Sequence, residues 1–234
     1  MSRTLIFIIC FLMLSCQQKN KKIENKTRKT PNTIQKSTNQ YKTQLDTLLN
    51  TQDYLILGQK LTKIKVVSEN SIKNFPKHKV LARYKSDVII SQNNTNEEIK
   101  IYRKYHPKIS FKDFPAEVFK GQLADPDFST NPNAKSFITR IKNECANGIN
   151  FAGHYTLVTW GCGSPCQSGV LVDRKTGRIF SGFETSLGSK FKKDSKMIIK
   201  NIGAIDNTTN LIEVCAYCEV SHHIWTGTTF KEVK

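Results

Sequence analysis

Cysteine is the residue type with the most varied chemistry in the second half of this chain. Five cysteines follow residue 16. Four of them lie in two close pairs, Cys162 with Cys166 and Cys215 with Cys218, and Cys145 stands alone in the sequence. Cys162 and Cys166 flank a Gly-Ser-Pro loop, and in an oxidising compartment this spacing predicts a local disulfide. Cys215 and Cys218 can bond only if the chain turns between them, because an extended chain would separate them by about 10 Å. Cys145 would then be a buried, unpaired thiol.

Zinc binding and nucleophilic catalysis are the two alternative uses of these cysteines. The two pairs, together with His222 and His223, contain enough ligands for a zinc site. An oxidising compartment favours disulfides, so we expect no metal ion and no cofactor. A cysteine nucleophile would need a histidine within hydrogen-bond reach. Along an extended chain His154 would lie about 25 Å from Cys162, and no catalytic residue is therefore assigned.

Residues 154–160 have the pattern of a strand that could present ligand-binding side chains. Counting with a period of two puts His154 and Trp160 on the same face of this strand. An antiparallel return strand would bring Asp173 near His154, and the next strand would bring Glu184 near the Trp160 end. The candidate binding residues are therefore His154, Tyr155, Trp160, Asp173 and Glu184. An ion-paired structural histidine and a core tryptophan remain the alternative interpretations.

The first sixteen residues have the pattern of a bacterial lipoprotein signal. A basic start at Arg3 is followed by apolar residues 5–14 and then by Ser15-Cys16. Ten residues of helix span about 15 Å, against about 30 Å of hydrocarbon in a bilayer, so cleavage is expected rather than membrane retention. The signal peptide would be residues 1–15, and Cys16 would carry the lipid anchor, including palmitate. An ordinary secretory signal with a chance cysteine is the alternative.

A basic tether is predicted to follow the anchor, over residues 16–44. Residues 17–44 contain eight Lys or Arg and one acid, Glu24, and they are too polar to form a core. The expected location is the periplasmic face of the outer membrane, because no acidic residue directly follows Cys16. The whole chain carries a formal charge of +17, and about +9 of it lies beyond the tether. The expected partners are the membrane, through the anchor, and an anionic envelope component or a protein.

A nucleic-acid partner is not expected. Lys far outnumbers Arg, whereas nucleic-acid sites use Arg heavily, and a basic surface is also typical of a merely solvated one. The sequence has no zinc-finger, RNA-recognition or P-loop pattern. Export to the periplasm argues against such a partner as well.

The remaining chain predicts an α+β fold, mostly antiparallel β-sheet in a meander with one helix near residues 132–147. Short β-rich runs form a small segment over residues 45–110, and an α+β domain follows over residues 111–234. Asn131 and Pro132 are typical of a helix start, and Gly148 of a helix end. Residues 161–168 are expected to form a loop. The apolar stripe predicted for the helix is Ala134, Phe137, Ile138, Ile141 and Cys145.

One stretch of this second domain resembles a family of uncharacterised exported bacterial proteins. The signature is NFAGHY at residues 150–155, WGCG at 160–163, CQ at 166–167, VD at 172–173 and TG at 176–177. The resemblance covers about the last 120 residues, and it implies an architecture without an assigned activity. We therefore expect a non-enzymatic binding or envelope-associated module. The alternative is an exported hydrolase-like enzyme that uses His154 with nearby acidic residues.

Overall fold

Antiparallel strands dominate the computed structural model, which describes residues 45–59, 63–92 and 98–234. The predicted signal peptide, Cys16 and the tether over residues 16–44 lie outside these described residues. None of the helices within the described ranges combines the length and apolar composition needed to cross a bilayer.

Fourteen strands and one α-helix can be assigned in the described ranges. The strands are β1 Asp46–Asn50, β2 Tyr54–Gly58, β3 Ile64–Ser68, β4 Lys79–Tyr84, β5 Asp87–Ser91, β6 Lys100–Lys104, β7 Tyr155–Gly163, β8 Cys166–Asp173, β9 Ile179–Thr185, β10 Ser189–Phe191, β11 Met197–Lys200, β12 Leu211–Glu213, β13 Ser221–Trp225 and β14 Phe230–Val233. The α-helix is α1 Ile138–Ala146, and the 3-10 helices are Glu69–Asn74, Phe111–Asp113, Pro132–Phe137 and Ile202–Ala204.

These strands divide among four sheets instead of forming one continuous meander. The spatial orders are β1-β2-β6-β12, β3-β5-β4, β7-β8-β9 and β10-β11-β13-β14. The prediction of a mostly antiparallel protein with one helix near residues 132–147 is thus confirmed, and β7-β8-β9 is a true meander. Strand β12 pairs with β6, so the two predicted segments, 45–110 and 111–234, share a sheet.

The β7-β8-β9 sheet is buried on both faces, which explains its long apolar runs. On one face Val158, Val170 and Val172 pack under α1 through Ile141 and Cys145. On the other face the neighbouring apolar side chains pack against the last sheet and its aromatic residues: Tyr155, Leu157, Leu171 and Phe183 against Ile198, Trp225 and Phe230. This half of the protein therefore has three layers, helix on sheet on sheet.

The helix differs from the prediction at its start. Residues Pro132–Phe137 form a 3-10 helix, and the α-helix follows without a break. A 3-10 helix turns by about 120° per residue instead of 100°, so the predicted apolar stripe does not stay on one face. Ala134 is buried as expected, but Phe137 and Ile138 are 36% and 40% exposed. At the other end, Gly148 has a φ of +89°, as its role as a helix terminator requires.

The loop predicted over residues 161–168 is wrong, because the two strands continue almost to the hairpin tip. Strand β7 ends at Gly163 and β8 begins at Cys166, which leaves only Ser164 and Pro165 in the turn. The pairing shifts by one residue between Gly161 and Gly163, and Gly163 has a φ of +122° at this bulge. Glycine adopts both the extended and the positive-φ backbone, so these glycines continue a strand where a loop was expected.

Candidate functional site

A row of three side chains crosses the β7-β8-β9 sheet beyond the end of the helix layer. Trp160 on β7 is opposite Ser168 on β8, and Ser168 is opposite Glu184 on β9. All three lie on the face that carries Val158 and Val170, because residues directly opposite each other in a sheet share a face. The structure therefore brings together two of the predicted candidates, Trp160 and Glu184. The structure also adds Ser168 to the site, because the strand register puts this residue between Trp160 and Glu184.

The exposed ring of Phe137 stacks on Trp160 at one side of this row. The two ring centroids are 3.9 Å apart and the ring planes differ by 15°. Trp160 is only partly buried, and its indole packs at the edge of the cluster formed by the helix and the sheet. Phe137 was expected in the core, and the exposure noted above is what makes it available to a ligand.

Phe137 and the cross-strand row line a groove of about 230 Å³, which we call the aromatic groove. Asn131 and Ser181 also line the groove, and Asn131 Nδ2 donates a hydrogen bond to Ser181 Oγ over 2.6 Å. Asn131 occupies the N-cap position of the 3-10 helix, but its side chain makes no capping hydrogen bond. Gly182, also in the lining, has a φ of +96°, and a Cβ built there meets no atom within 4 Å. Glu184 is exposed, so its carboxylate faces solvent.

Both close cysteine pairs are bonded, which confirms the predicted disulfide of the first pair and answers the question left open for the second. Cys162 is joined to Cys166, and Cys215 is joined to Cys218 across a turn. The first bond lies next to the aromatic groove, because the hydroxyl of Ser168 donates to Cys162 Sγ over 3.2 Å. The zinc interpretation therefore loses its four cysteine ligands. Within the described ranges no group of three or more His, Cys, Asp or Glu could hold a metal ion.

Cys145 is the remaining cysteine, and it is unpaired and buried under the sheet. Burial is the main cause that raises the pKa of its thiol, although the nearby guanidinium of Arg174 opposes the shift. A raised pKa keeps the thiol protonated and therefore a weak nucleophile.

His154 and Asp173 meet at the other end of the hairpin. His154 Nε2 lies 3.9 Å from Asp173 Oδ1, as the antiparallel return strand predicts. Burial lowers the pKa of His154, Lys175 and Lys196 lower it further, and Asp173 acts in the opposite direction. The imidazole is therefore mostly neutral at pH 7, and its contact with Asp173 becomes an ion pair only at lower pH, when the ring is protonated. The geometry is that of the structural histidine considered above, without a permanent charge on the ring.

Tyr155 is buried in the core next to His154, and the centroids of the two rings lie 4.2 Å apart. Its ring meets Trp225 edge-on at 5.6 Å and Phe180 at 6.3 Å. Burial raises the pKa of its hydroxyl. Tyr155 is therefore a packing residue, and the five predicted candidates fall in two separate places: His154, Tyr155 and Asp173 at one end of the hairpin, and Trp160 and Glu184 toward the other.

The distance between these places limits the chemistry that they can do together. Six residues of strand separate His154 from Trp160, which corresponds to about 20 Å. His154 and Asp173 therefore cannot act on a ligand in the aromatic groove together with Glu184. The groove itself offers an aromatic face, a carboxylate, hydroxyls and an amide, which suit binding more than bond cleavage. Comparisons of the chain with protein-family models, with curated proteins and with solved structures find no match.

Proposed function

We propose that this protein is a lipid-anchored binding module on the periplasmic face of the outer membrane, and that its aromatic groove takes a neutral glycan strand. The observation that carries the proposal is the exposed Phe137–Trp160 stack beside the row of Ser168 and Glu184. The anchor and the location rest on the sequence of residues 1–44.

The composition of the groove suits a sugar ring better than a purely apolar ligand. A pyranose has a face of C–H groups, which packs on an aromatic ring, and a rim of hydroxyls. Phe137 provides the exposed apolar surface. Glu184 and Ser168 provide acceptors for the hydroxyl protons.

The charge of the groove favours a neutral ligand. Glu184 is the acidic side chain in its lining, and the lining contains no Lys or Arg among the described residues. A carboxylate at the binding surface would repel an anion, whereas a sugar hydroxyl can donate to it. The basic residues that give the domain its net positive charge therefore do not line this groove.

The predicted tether matches such a role in its length. As a flexible coil, its roughly 28 residues would span about 30 Å. This reach is comparable to the diameter of a small domain, so a tethered module could meet cell-wall glycan while its anchor stays in the bilayer.

Cys16→Ser should abolish anchoring of the chain. We expect the protein to leave the membrane fraction for the soluble periplasm, or to accumulate as the unprocessed precursor, because serine cannot carry the thioether-linked lipid. Cell fractionation and the intact mass of the protein measure this outcome. Cys10→Ser, within the apolar run, is the matched control and should leave both unchanged. Unchanged fractionation and mass in the Cys16 variant would contradict the anchor.

Phe137→Ala and Glu184→Gln should each weaken binding to purified peptidoglycan sacculi, Phe137→Ala by about tenfold. Phe137→Ala removes the exposed aromatic surface, and Glu184→Gln removes the charge-assisted acceptor while it keeps the shape. Co-sedimentation of the full chain in nonionic detergent measures the apparent dissociation constant, and urea unfolding checks that each variant folds.

Tyr217→Ala is the matched control for this experiment, because Tyr217 is also an exposed aromatic residue and it is not in the lining of the groove. Its binding should equal that of the wild type. Equal losses in the Tyr217 and Phe137 variants, or wild-type binding by Phe137→Ala, would overturn the glycan proposal.

A further inference from the structure

A second cleft lies away from the aromatic groove, where strand β6 and the segment after it approach β13 and β14. It encloses about 330 Å³, which falls within the size range of small-molecule sites. The side chains that the argument uses are Lys85, Arg103, Tyr105, Lys108, His222 and Glu232. They come from the β4–β5 turn, from β6 and the residues after it, from β13 and from β14.

The lining of this cleft is strongly basic. Among the described residues it contains four lysines and one arginine, against Glu232 as its one acidic side chain. Lys104 is turned away, because its Nζ donates to Asn50 Oδ1 and to the carbonyl of Thr51, both over 2.6 Å. Lys85 and Lys108 are exposed at the surface of the cleft. The other cations of the lining can therefore contact a ligand. The single acidic side chain of the lining cannot neutralise all of them.

Arg103 is held rigidly on one side of the cleft. Its guanidinium carbon lies 3.6 Å from the centroid of the Tyr84 ring, a close cation–π contact. Its Nε is buried and has no hydrogen-bond acceptor among the described residues. A buried donor without an acceptor is costly in a folded protein, so Arg103 brings an incompletely satisfied positive charge to this side of the cleft.

His222 and Tyr105 form a rigid pair in the same lining. The Tyr105 hydroxyl and His222 Nε2 share a hydrogen bond of 2.8 Å, and the two rings are stacked with a 5.8 Å separation. Burial lowers the pKa of His222, Glu232 acts in the opposite direction, and the nearby Lys85 lowers the pKa further. A cation from the β4–β5 turn thus approaches the ring of a residue on β13.

We propose that this cleft binds a phosphoryl group. Several cations facing one carboxylate leave an excess of positive charge that a single carboxylate ligand would not neutralise. A phosphate monoester carries about −1.5 to −2 charges at pH 7 and offers three acceptor oxygens. Lysine acts as a point charge toward phosphate, and the stacked arginine supplies directional donors. The proposal does not depend on the glycan proposal, because the two sites share no lining residue.

Isothermal titration calorimetry of the full chain in nonionic detergent tests this site with two probes. Glycerol 3-phosphate represents a free phosphate ester. Mixed micelles that contain phosphatidic acid, whose headgroup is a phosphate monoester, represent a lipid headgroup, with phosphatidylcholine micelles as their control. We expect saturable binding of at least one probe, weakened by added salt because the lysines are exposed.

The double variant Lys85→Gln/Lys108→Gln should weaken this binding by about tenfold or more, because charge-assisted hydrogen bonds are lost. Both residues are exposed, so the variant should fold. Lys142→Gln, on the exposed surface of α1, removes one charge outside the cleft and should bind as the wild type does.

The two probes separate the sources of the phosphoryl group. Binding of phosphatidic acid micelles alone assigns a lipid headgroup, and binding of glycerol 3-phosphate with similar affinity assigns a free ester. No saturable binding of either probe would overturn the proposal. The single variants Lys85→Gln and Lys108→Gln each remove one charge, as Lys142→Gln does. If Lys142→Gln loses as much affinity as either of them, the proposal is also overturned, because binding would then depend only on the net charge of the protein.

Discussion

Replacing Arg174 by methionine is expected to lower the free energy of unfolding by about 3 kcal/mol, the largest loss among the substitutions considered. Arg174 is a charged residue that is only 4% exposed. Its Nε donates to the carbonyl of Ala124 over 3.0 Å, and its Nη1 donates to the carbonyl of Cys145 over 2.5 Å. Nη1 also lies 3.4 Å from Thr156 Oγ1. The side chain therefore joins the segment before the helix, the end of α1 and strand β7.

The size of the effect follows from the acceptors that Arg174 would leave behind. Methionine fills a similar volume but donates nothing, so the Ala124 carbonyl would lose its side-chain donor at about 1–3 kcal/mol, and the Cys145 carbonyl would keep the Gly148 N–H. The cation also lies at the C-terminal end of α1, where the helix dipole favours positive charge. Removal of a buried charge recovers some desolvation energy, which keeps the net loss below the sum of these contributions.

Urea unfolding of Arg174→Met, with the slope compared to that of the wild type, measures this loss. Arg178→Met is the matched control, because Arg178 is exposed and its guanidinium lies 5.0 Å from the Phe180 ring. The control should lose less than about 1 kcal/mol. A loss below 1 kcal/mol in Arg174→Met would show that the three segments are held together by apolar packing alone.

Replacing both Cys162 and Cys166 by serine is expected to cost about 2 kcal/mol of stability. The disulfide closes a loop of only five residues, so the loop-entropy relation gives a value at the lower end of the usual range. The bond joins the ends of β7 and β8 directly beyond the row of Trp160 and Ser168. We therefore expect the hairpin tip to loosen while the buried part of the sheet remains folded.

The urea midpoint of the double variant should fall, and unreduced peptide mapping of the wild type should recover Cys162 and Cys166 in one linked peptide. Ser164→Ala, at the exposed hairpin tip, is the control and should cost less than about 0.5 kcal/mol. A wild-type midpoint combined with lost sacculus binding would mean that the tip contacts the ligand itself and is no brace.

Local patterns were enough to predict the strands and the disulfide of the hairpin. The strand pattern of residues 154–160 and the antiparallel return strand expected after it are confirmed, and these strands bring His154 near Asp173. The spacing of Cys162 and Cys166 predicted their bond for a similar reason. Partners this close in sequence have few alternative arrangements, so short-range geometry decides between them.

The aromatic groove could be predicted only in part. The expected antiparallel order of the strands placed Glu184 near the Trp160 end, but Phe137 was assigned to the core. The 3-10 geometry at the start of the helix turned Phe137 outward, and its stacking on Trp160 depends on how the helix layer lies on the sheet. Helix propensity and hydrophobic spacing do not encode that rotation.

By itself, the sequence determined the antiparallel class, the position of the helix and the local cysteine pairing, because each depends on residues close together in the chain. Only the tertiary structure decided which faces are covered, that Arg174 joins three segments, and that the cations around Arg103 and His222 share one cleft. The physical reason is the same in each case. These features depend on the packing of elements far apart in sequence, where burial and charge are set by neighbours that no local pattern identifies.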